Sequence, residues 1–199
     1  SITDLKFFRF KRFEFDNHLF LIARSGWSKQ GGFEIYVDND EKGQNLFREL
    51  INKGKDLNVR AGCPNAIERM EGGLLSYGND MTIKDNVLEC GFGELVSFSD
   101  EIDYLAKDHL KQLSLKGIKK SLTGIKIFSD AFTLLNHEPI FINGDKVGEL
   151  RSVVYSPSFK CCLGIAMIDM ETQDNKQKQI AVIDNNEFQI EISPLPFNQ

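Results

Sequence analysis

Ile140-Phe141-Ile142-Asn143-Gly144-Asp145-Lys146-Val147 decides how the second half of this chain is read. Two runs rich in β-branched and aromatic residues meet at Asn-Gly, the pair best suited to the positive φ angles of a type I′ turn, so the segment predicts a two-residue hairpin. Working outward, similar runs recur at Gly124 to Phe128, Pro139 to Ile142, Val147 to Tyr155, Cys162 to Ile168, Gln179 to Ile183 and Phe188 to Ile192. Short strands in such close succession predict a small antiparallel β-barrel or sandwich.

The first half mixes two periods. Phe8-Arg9-Phe10-Lys11 and Phe13-Glu14-Phe15 alternate apolar with charged, as a half-buried strand does, and the phase slip near Lys11-Arg12 suggests a bulge. Asp16-Asn17 supplies a turn into Leu19 to Ala23, and Phe33 to Val37 forms a third strand. Leu46, Phe47, Leu50 and Ile51 share one face of a helix over 42–53 that Gly54 ends. Pro64 opens a shorter helix carrying Ile67 and Met70, and Val87 to Phe98 reads as a strand weakened by Gly91 and Gly93. Ile102, Leu105, His109, Leu110 and Leu113 set a further helix stopping at Gly117, with His109 as a core or boundary histidine. The fold class is therefore α+β. A sheet-plus-helix domain, a ferredoxin-like half, occupies 1–100, a helical connector 101–120, and a C-terminal antiparallel β-barrel domain 121–199.

Composition narrows the function classes. With 41% hydrophobic and 27% charged residues the chain is an ordinary globular protein, not a disordered or fibrous one. Its apolar runs are too short to span a bilayer, so no membrane role is expected, and a net charge of −5 argues against nucleic acid as partner. Cys63, Cys90, Cys161 and Cys162 show no CxxC spacing, which suits a reducing cytoplasm. His18, His109 and His137 are scattered, so no metal is expected, and neither a P-loop nor a GxGxxG follows a strand. The chain starts at Ser1 without methionine, which suggests processing or a piece of something longer.

Arg24 to Val37, RSGWSKQGGFEIYV, concentrates the remaining chemistry. Period two puts Phe33, Ile35 and Val37 on one face of the strand and Glu34 and Tyr36 on the other, with Trp27 returning from the turn. One reading is a surface glutamate beside a rim aromatic. The other is a pocket, because a carboxylate accepts parallel N–H bonds from a planar heterocycle such as a pterin while aromatic faces stack on it or hold a cation. Gly31-Gly32 has the same two readings, a tight turn or a close approach of backbone to ligand. Arg69 and Glu71 are too close in sequence to face each other along a helix and need partners elsewhere. Ser156, in Tyr155-Ser156-Pro157, lacks a GxSxG elbow or a histidine partner and reads as a turn residue.

Together these pieces resemble the folate-dependent aminomethyltransferase family, the glycine cleavage T-protein and its relatives. Its R-x-G-Y-T-G-E-x-G-F-E-I-Y is similar to Arg24 through Tyr36, its R-L-E-A-G-L-x-L-Y-G-x-D to Arg69 through Asp80, and its G-x-x-T-S-x-x-Y-S-P to Gly148 through Pro157. Tyr104 through Leu110 resembles F-I-G-K-x-x-L, and Leu195-Pro196-Phe197 the usual ending. The resemblance covers nearly the whole chain but only the second half of a typical member. It implies tetrahydrofolate as cofactor, with Glu34 reading the pterin edge and Trp27 and Tyr36 as cofactor-binding and substrate-binding aromatics. No catalytic side chain is assigned.

The departures matter as well. Trp27 replaces the second family aromatic, Ser28-Lys29-Gln30 replaces T-G-E, and Cys63-Pro64-Asn65-Ala66 replaces G-A-R-D. Among the branches of the family the pattern looks closest to dimethylsulfoniopropionate demethylase, which implies methyl transfer from a small sulfonium donor to tetrahydrofolate. The alternatives are an aminomethyltransferase of glycine cleavage, the folate domain of a sarcosine or dimethylglycine oxidising enzyme, and a non-catalytic folate-binding fragment. A homodimer is left open.

Overall fold

A computed structural model describes residues 1–27, 31–63, 66–173 and 178–197. They form two compact units, Ser1–Glu68 and Arg69–Gln199.

In the first unit β1 (Phe10–Phe15), β2 (His18–Ala23) and β3 (Glu34–Tyr36) make an antiparallel sheet in that order. Asp16 and Asn17, at φ +48° and +58°, close the β1–β2 hairpin as a primed two-residue turn. The register runs unbroken from Phe10 opposite Ala23 to Phe15 opposite His18, so the bulge expected near Lys11-Arg12 does not exist. The phase slip has another cause: Phe8 adopts φ +57° and donates its N–H to the Arg24 carbonyl, so the strand begins only after it. From there alternation holds. Phe13 and Phe15 pack with Phe20, Ile22 and Ile35, while Phe10, Arg12, Glu14, Glu34 and Tyr36 are exposed.

The helix α1 (Asp40–Lys53) follows β3. The Asn39 side chain accepts the Lys42 N–H at 3.1 Å, and Asp40 and Glu41 in the first turn complement the helix dipole. Leu46 enters the small core beside Phe20 and Ile22. Phe47 and Leu50, expected on the buried stripe, are 54% and 46% exposed, so the packed face is narrower than the periodicity implied.

The short helix α2 (Ala66–Glu71) carries Met70 inward, whereas Pro64, expected to open it, lies outside the described residues. Val87 to Phe98 is not a strand. Asn86 accepts the N–H groups of Leu88 and Glu89 through its side chain, Gly91 takes φ +80°, and a 3-10 turn covers Gly93–Leu95. The local side-chain bonds and the two glycines outweigh the apolar residues there. The helix α3 (Lys107–Lys116) starts later than its stripe implied, because Ala106 sits at φ +65°. Leu105 is therefore 95% exposed, and His109 is exposed rather than in a core.

Beyond α3 the six expected strands are present: β4 (Lys120–Ile127), β5 (Glu138–Ile142), β6 (Asp145–Ser156), β7 (Cys161–Asp169), β8 (Gln179–Ile183) and β9 (Asn186–Ser193). They close into an antiparallel barrel in the order β4-β7-β6-β5-β8-β9. Asn143 and Gly144, at φ +53° and +88°, form the expected hairpin turn, and Asp184-Asn185 repeats it between β8 and β9.

Period two explains how β7 is buried on both sides. Cys162, Ala166 and Ile168 face the cluster containing Ile125, Ile140, Leu150 and Ile190, while Cys161, Leu163, Ile165 and Met167 face another cluster with Met70, Cys90, Leu122 and Phe197. Gly164 lets the strands meet closely, since a Cβ there would lie 2.7 Å from side-chain atoms of both Ile125 and Leu150. Residues just before the barrel thus belong to its packing. No helix among the described residues is long and apolar enough to cross a membrane.

Candidate functional site

Glu34 opens β3 opposite Ala23 of β2, and Tyr36 lies opposite Leu21. Both point to the face away from Phe20, Ile22 and Ile35, so alternation delivers a carboxylate and a phenol side by side on an open surface. Tyr36 is 56% exposed. Ser25, just past β2, donates its hydroxyl to Oε2 of Glu34. The preceding residue, Arg24, points elsewhere: its guanidinium donates to the Leu5 carbonyl at 3.1 Å and lies 5.6 Å from the centre of the Phe33 ring. Arg24 therefore ties the N-terminal segment to the sheet, and Ser25 touches the candidate ligand group.

The turn after Ser25 carries Trp27, which is 43% exposed. Ser28, Lys29 and Gln30 lie outside the described residues. Gly31 and Gly32 take φ +77° and +108°, and a Cβ at either would meet no atom of the described residues within 4 Å. Backbone conformation favours glycine at both positions. The structure brings Glu34, Tyr36 and Ser25 together and sets Trp27 on the adjoining turn. Ser25 was missed in the sequence, although it stands two residues before Trp27 in the same motif.

A separate polar constellation lies in the second unit. Arg69 of α2, 5% exposed, donates to Oδ2 of the fully buried Asp80 at 2.7 Å and to the Leu74 carbonyl at 3.3 Å. Asp80 also accepts the Ser76 N–H at 2.6 Å and the Ser152 hydroxyl. Two residues along α2, Glu71 accepts the Ser156 hydroxyl at 2.5 Å, and Ser156 in turn accepts the Phe159 N–H. Arg69 and Glu71 have thus found the distant partners their spacing demanded. Ser156 is fully buried with its proton directed to Glu71, which is a structural turn and not a nucleophile.

Beside this network lies a cavity of about 610 Å³ lined by Arg69, Asn79, Leu135, His137, Arg151 and Ser152, among others. Its cations face carboxylates. Arg151, the extra residue of a bulge in β6, lies 2.9 Å from Glu149 and 3.4 Å from Asp85, and His137 contacts the Asn79 carbonyl at 2.8 Å. Nearby, burial and then the charges of Asp85 and Glu89 push the Cys90 thiol up to about 11, which keeps it protonated and unreactive.

The GCVT N-terminal domain matches residues 1–100, and the glycine cleavage T-protein C-terminal barrel domain matches 120–198. Dimethylsulfoniopropionate demethylase DmdA of Ruegeria pomeroyi is 43% identical over 169 residues, which are 85% of this chain and 46% of that protein. An aminomethyltransferase of Bacillus cereus is 28% identical over 201 residues, covering 99% of this chain and 54% of its own length. The crystal structure of glycine cleavage system aminomethyltransferase T from Bartonella henselae superposes with a TM-score of 0.82 at 20% identity, over 98% of this chain and 54% of that one. The chain therefore spans about half the length of the relatives it matches. The matches run along both units, and the chain belongs to the folate-dependent aminomethyltransferase family of the glycine cleavage T-protein.

Proposed function

We propose that the chain is the folate-reading part of a tetrahydrofolate-dependent methyltransferase that takes a methyl group from a sulfonium donor of the dimethylsulfoniopropionate type. The observation that carries the reading is the Glu34 carboxylate, held by Ser25 on an open face beside Tyr36 and next to the Gly31-Gly32 turn. The 43% identity to the demethylase supports a sulfonium over an aminomethyl donor.

The residues fit the cofactor. A carboxylate is an acceptor with about four lone-pair directions. One is used by Ser25. The rest can take two parallel N–H bonds from a pterin edge. Glycine at 31 and 32 puts no side chain between backbone and a flat ring, and the Tyr36 and Trp27 rings can face the heterocycle or the donor cation, a contact of roughly 0.5–2 kcal/mol. Tetrahydrofolate, when bound, supplies the nitrogen that accepts the one-carbon unit. As the methyl carbon passes to that nitrogen, the sulfonium carbon–sulfur bond would break with its electron pair remaining on sulfur and the nitrogen's proton would be lost to water, so the leaving sulfide is neutral and needs no acid from the protein. The work left to these side chains is alignment and stabilisation of charge.

Trp27 is the chain's only tryptophan, so tetrahydrofolate binding is measured by its emission, and methyl transfer by mass detection of methylated folate. The expected result is saturable quenching lost in Glu34→Ala, and transfer from dimethylsulfoniopropionate but not from an aminomethyl donor. Unchanged affinity in Glu34→Ala would refute the site. Transfer from the aminomethyl donor alone would favour the aminomethyltransferase reading, which the Bacillus relatives support.

A further inference from the structure

Building on the folate reading above, we infer that Ser25 is a positioning residue for Glu34. By donating to one oxygen it fixes the carboxylate's orientation and leaves the other oxygen and the remaining lone pairs for a planar N–H edge. An ionised carboxylate has no proton to give, so the hydroxyl of Ser25 must be the donor to Oε2, and the sense of the bond is fixed by chemistry.

Glu34 is exposed, with water as an alternative partner, so this bond adds little to the stability of the fold. Its effect is on the side chain itself. A glutamate at a strand end has three torsions to order before it can present a fixed pair of oxygens, and a bond to one oxygen orders them in advance of the ligand. Ser25 also lies at the base of the turn that carries Trp27. A Cβ at the intervening Gly26 would sit 3.7 Å from the Gly31 carbonyl, so the two ends of that turn are close together. One hydrogen bond thus links the residue that reads the ligand edge to the root of the turn that supplies an aromatic face. Threonine would keep the hydroxyl, whereas alanine removes only the bond.

The test compares wild type, Ser25→Ala, Ser25→Thr and Glu34→Ala by tetrahydrofolate titration, by melting temperature, and by the separation of the two Glu34 γ-proton shifts in ligand-free protein. The expected result is roughly ten-fold weaker binding in Ser25→Ala with unchanged melting, merged γ-proton shifts in that variant, and recovery to within about two-fold in Ser25→Thr. If Ser25→Ala binds like wild type while Glu34→Ala does not, the positioning role is wrong and the folate reading stands. If Ser25→Thr fails to recover binding, or melting falls in Ser25→Ala, the residue is structural and the inference is overturned. If wild type shows no tetrahydrofolate binding, the folate reading and this inference fall together.

Discussion

Replacing Asp80 by alanine removes the acceptor on which three donors converge at the centre of the second unit. Arg69 Nη1 at 2.7 Å, the Ser76 N–H at 2.6 Å and the Ser152 hydroxyl all lose it, and the guanidinium is left at 5% exposure without its carboxylate. Breaking a buried ion pair from one side costs about 3–5 kcal/mol, because the remaining charge stays desolvated without its opposite charge. For a unit of this size each kcal/mol shifts the midpoint by about 3–5 °C, so Asp80→Ala should melt roughly 10–20 °C lower. Asp80→Asn keeps the shape and one oxygen and should lose about half as much. The double variant Arg69→Met with Asp80→Leu replaces both charges by apolar groups, and should be more stable than either Arg69→Met or Asp80→Leu alone. Urea unfolding followed by circular dichroism gives these differences at constant m-value. A loss below about 1 kcal/mol in Asp80→Ala, or simple additivity in the double variant, would refute the account of a paired, desolvated network.

Gly164→Ala puts a methyl 2.7 Å from the side chains of Ile125 and Leu150, and overpacking should destabilise the barrel by about 1–3 kcal/mol, read by urea unfolding. Gly32→Ala places a Cβ at φ +108°, a region that L residues rarely adopt, so it should loosen the turn and weaken folate binding while leaving the barrel's melting transition in place. Of the four cysteines, Cys63 is exposed and the others are buried, so a thiol reagent at pH 8 should label about one site per native chain and all four after denaturation. The Cys90 thiol is raised from 9.0 to about 11 by burial first, so its contribution to stability is full below pH 9 and is lost as pH rises through about 11. Native protein should lose stability across that window, and Cys90→Ser should reduce the pH dependence.

The barrel was legible because its information is local. Asn143-Gly144 states a turn type in two letters, and each strand carries enough β-branched residues to be read alone. Asp184-Asn185 carries the same kind of signal. The misreadings arise where a backbone angle or a side-chain bond overrides hydrophobic pattern. Phe8 and Ala106 adopt positive φ without being glycine, which shifts the start of β1 and of α3 past apolar residues that look like part of them. Asn86 caps a turn within a run that hydrophobicity alone marks as a strand. Period two put Glu34 and Tyr36 on one face, as found, but the Ser25 bond depends on a side chain reaching across the sheet, and composition carries no trace of that.

The three motifs that carry the family resemblance therefore do different physical work. Arg69 through Asp80 and Gly148 through Pro157 meet in buried polar contacts, where Asp80 holds Arg69 and Ser152 and Glu71 holds Ser156. Every one of those contacts is satisfied within the second unit. A chain retaining them retains a barrel-associated fold, and their presence says nothing about which one-carbon group is moved. Arg24 through Tyr36 is divided within itself. Arg24 fastens the N-terminal segment, whereas Glu34 and Tyr36 share the exposed face of β3, Ser25 donates to Glu34, and Trp27, Gly31 and Gly32 belong to the adjoining turn. Differences in donor and ligand should therefore be sought in that second group. The change from T-G-E to Ser28-Lys29-Gln30 falls between its members, so transplanting T-G-E into positions 28–30 should alter ligand affinity while leaving the melting of the second unit unchanged. A fall in that unit's melting temperature would show that the motifs are not separable in this way.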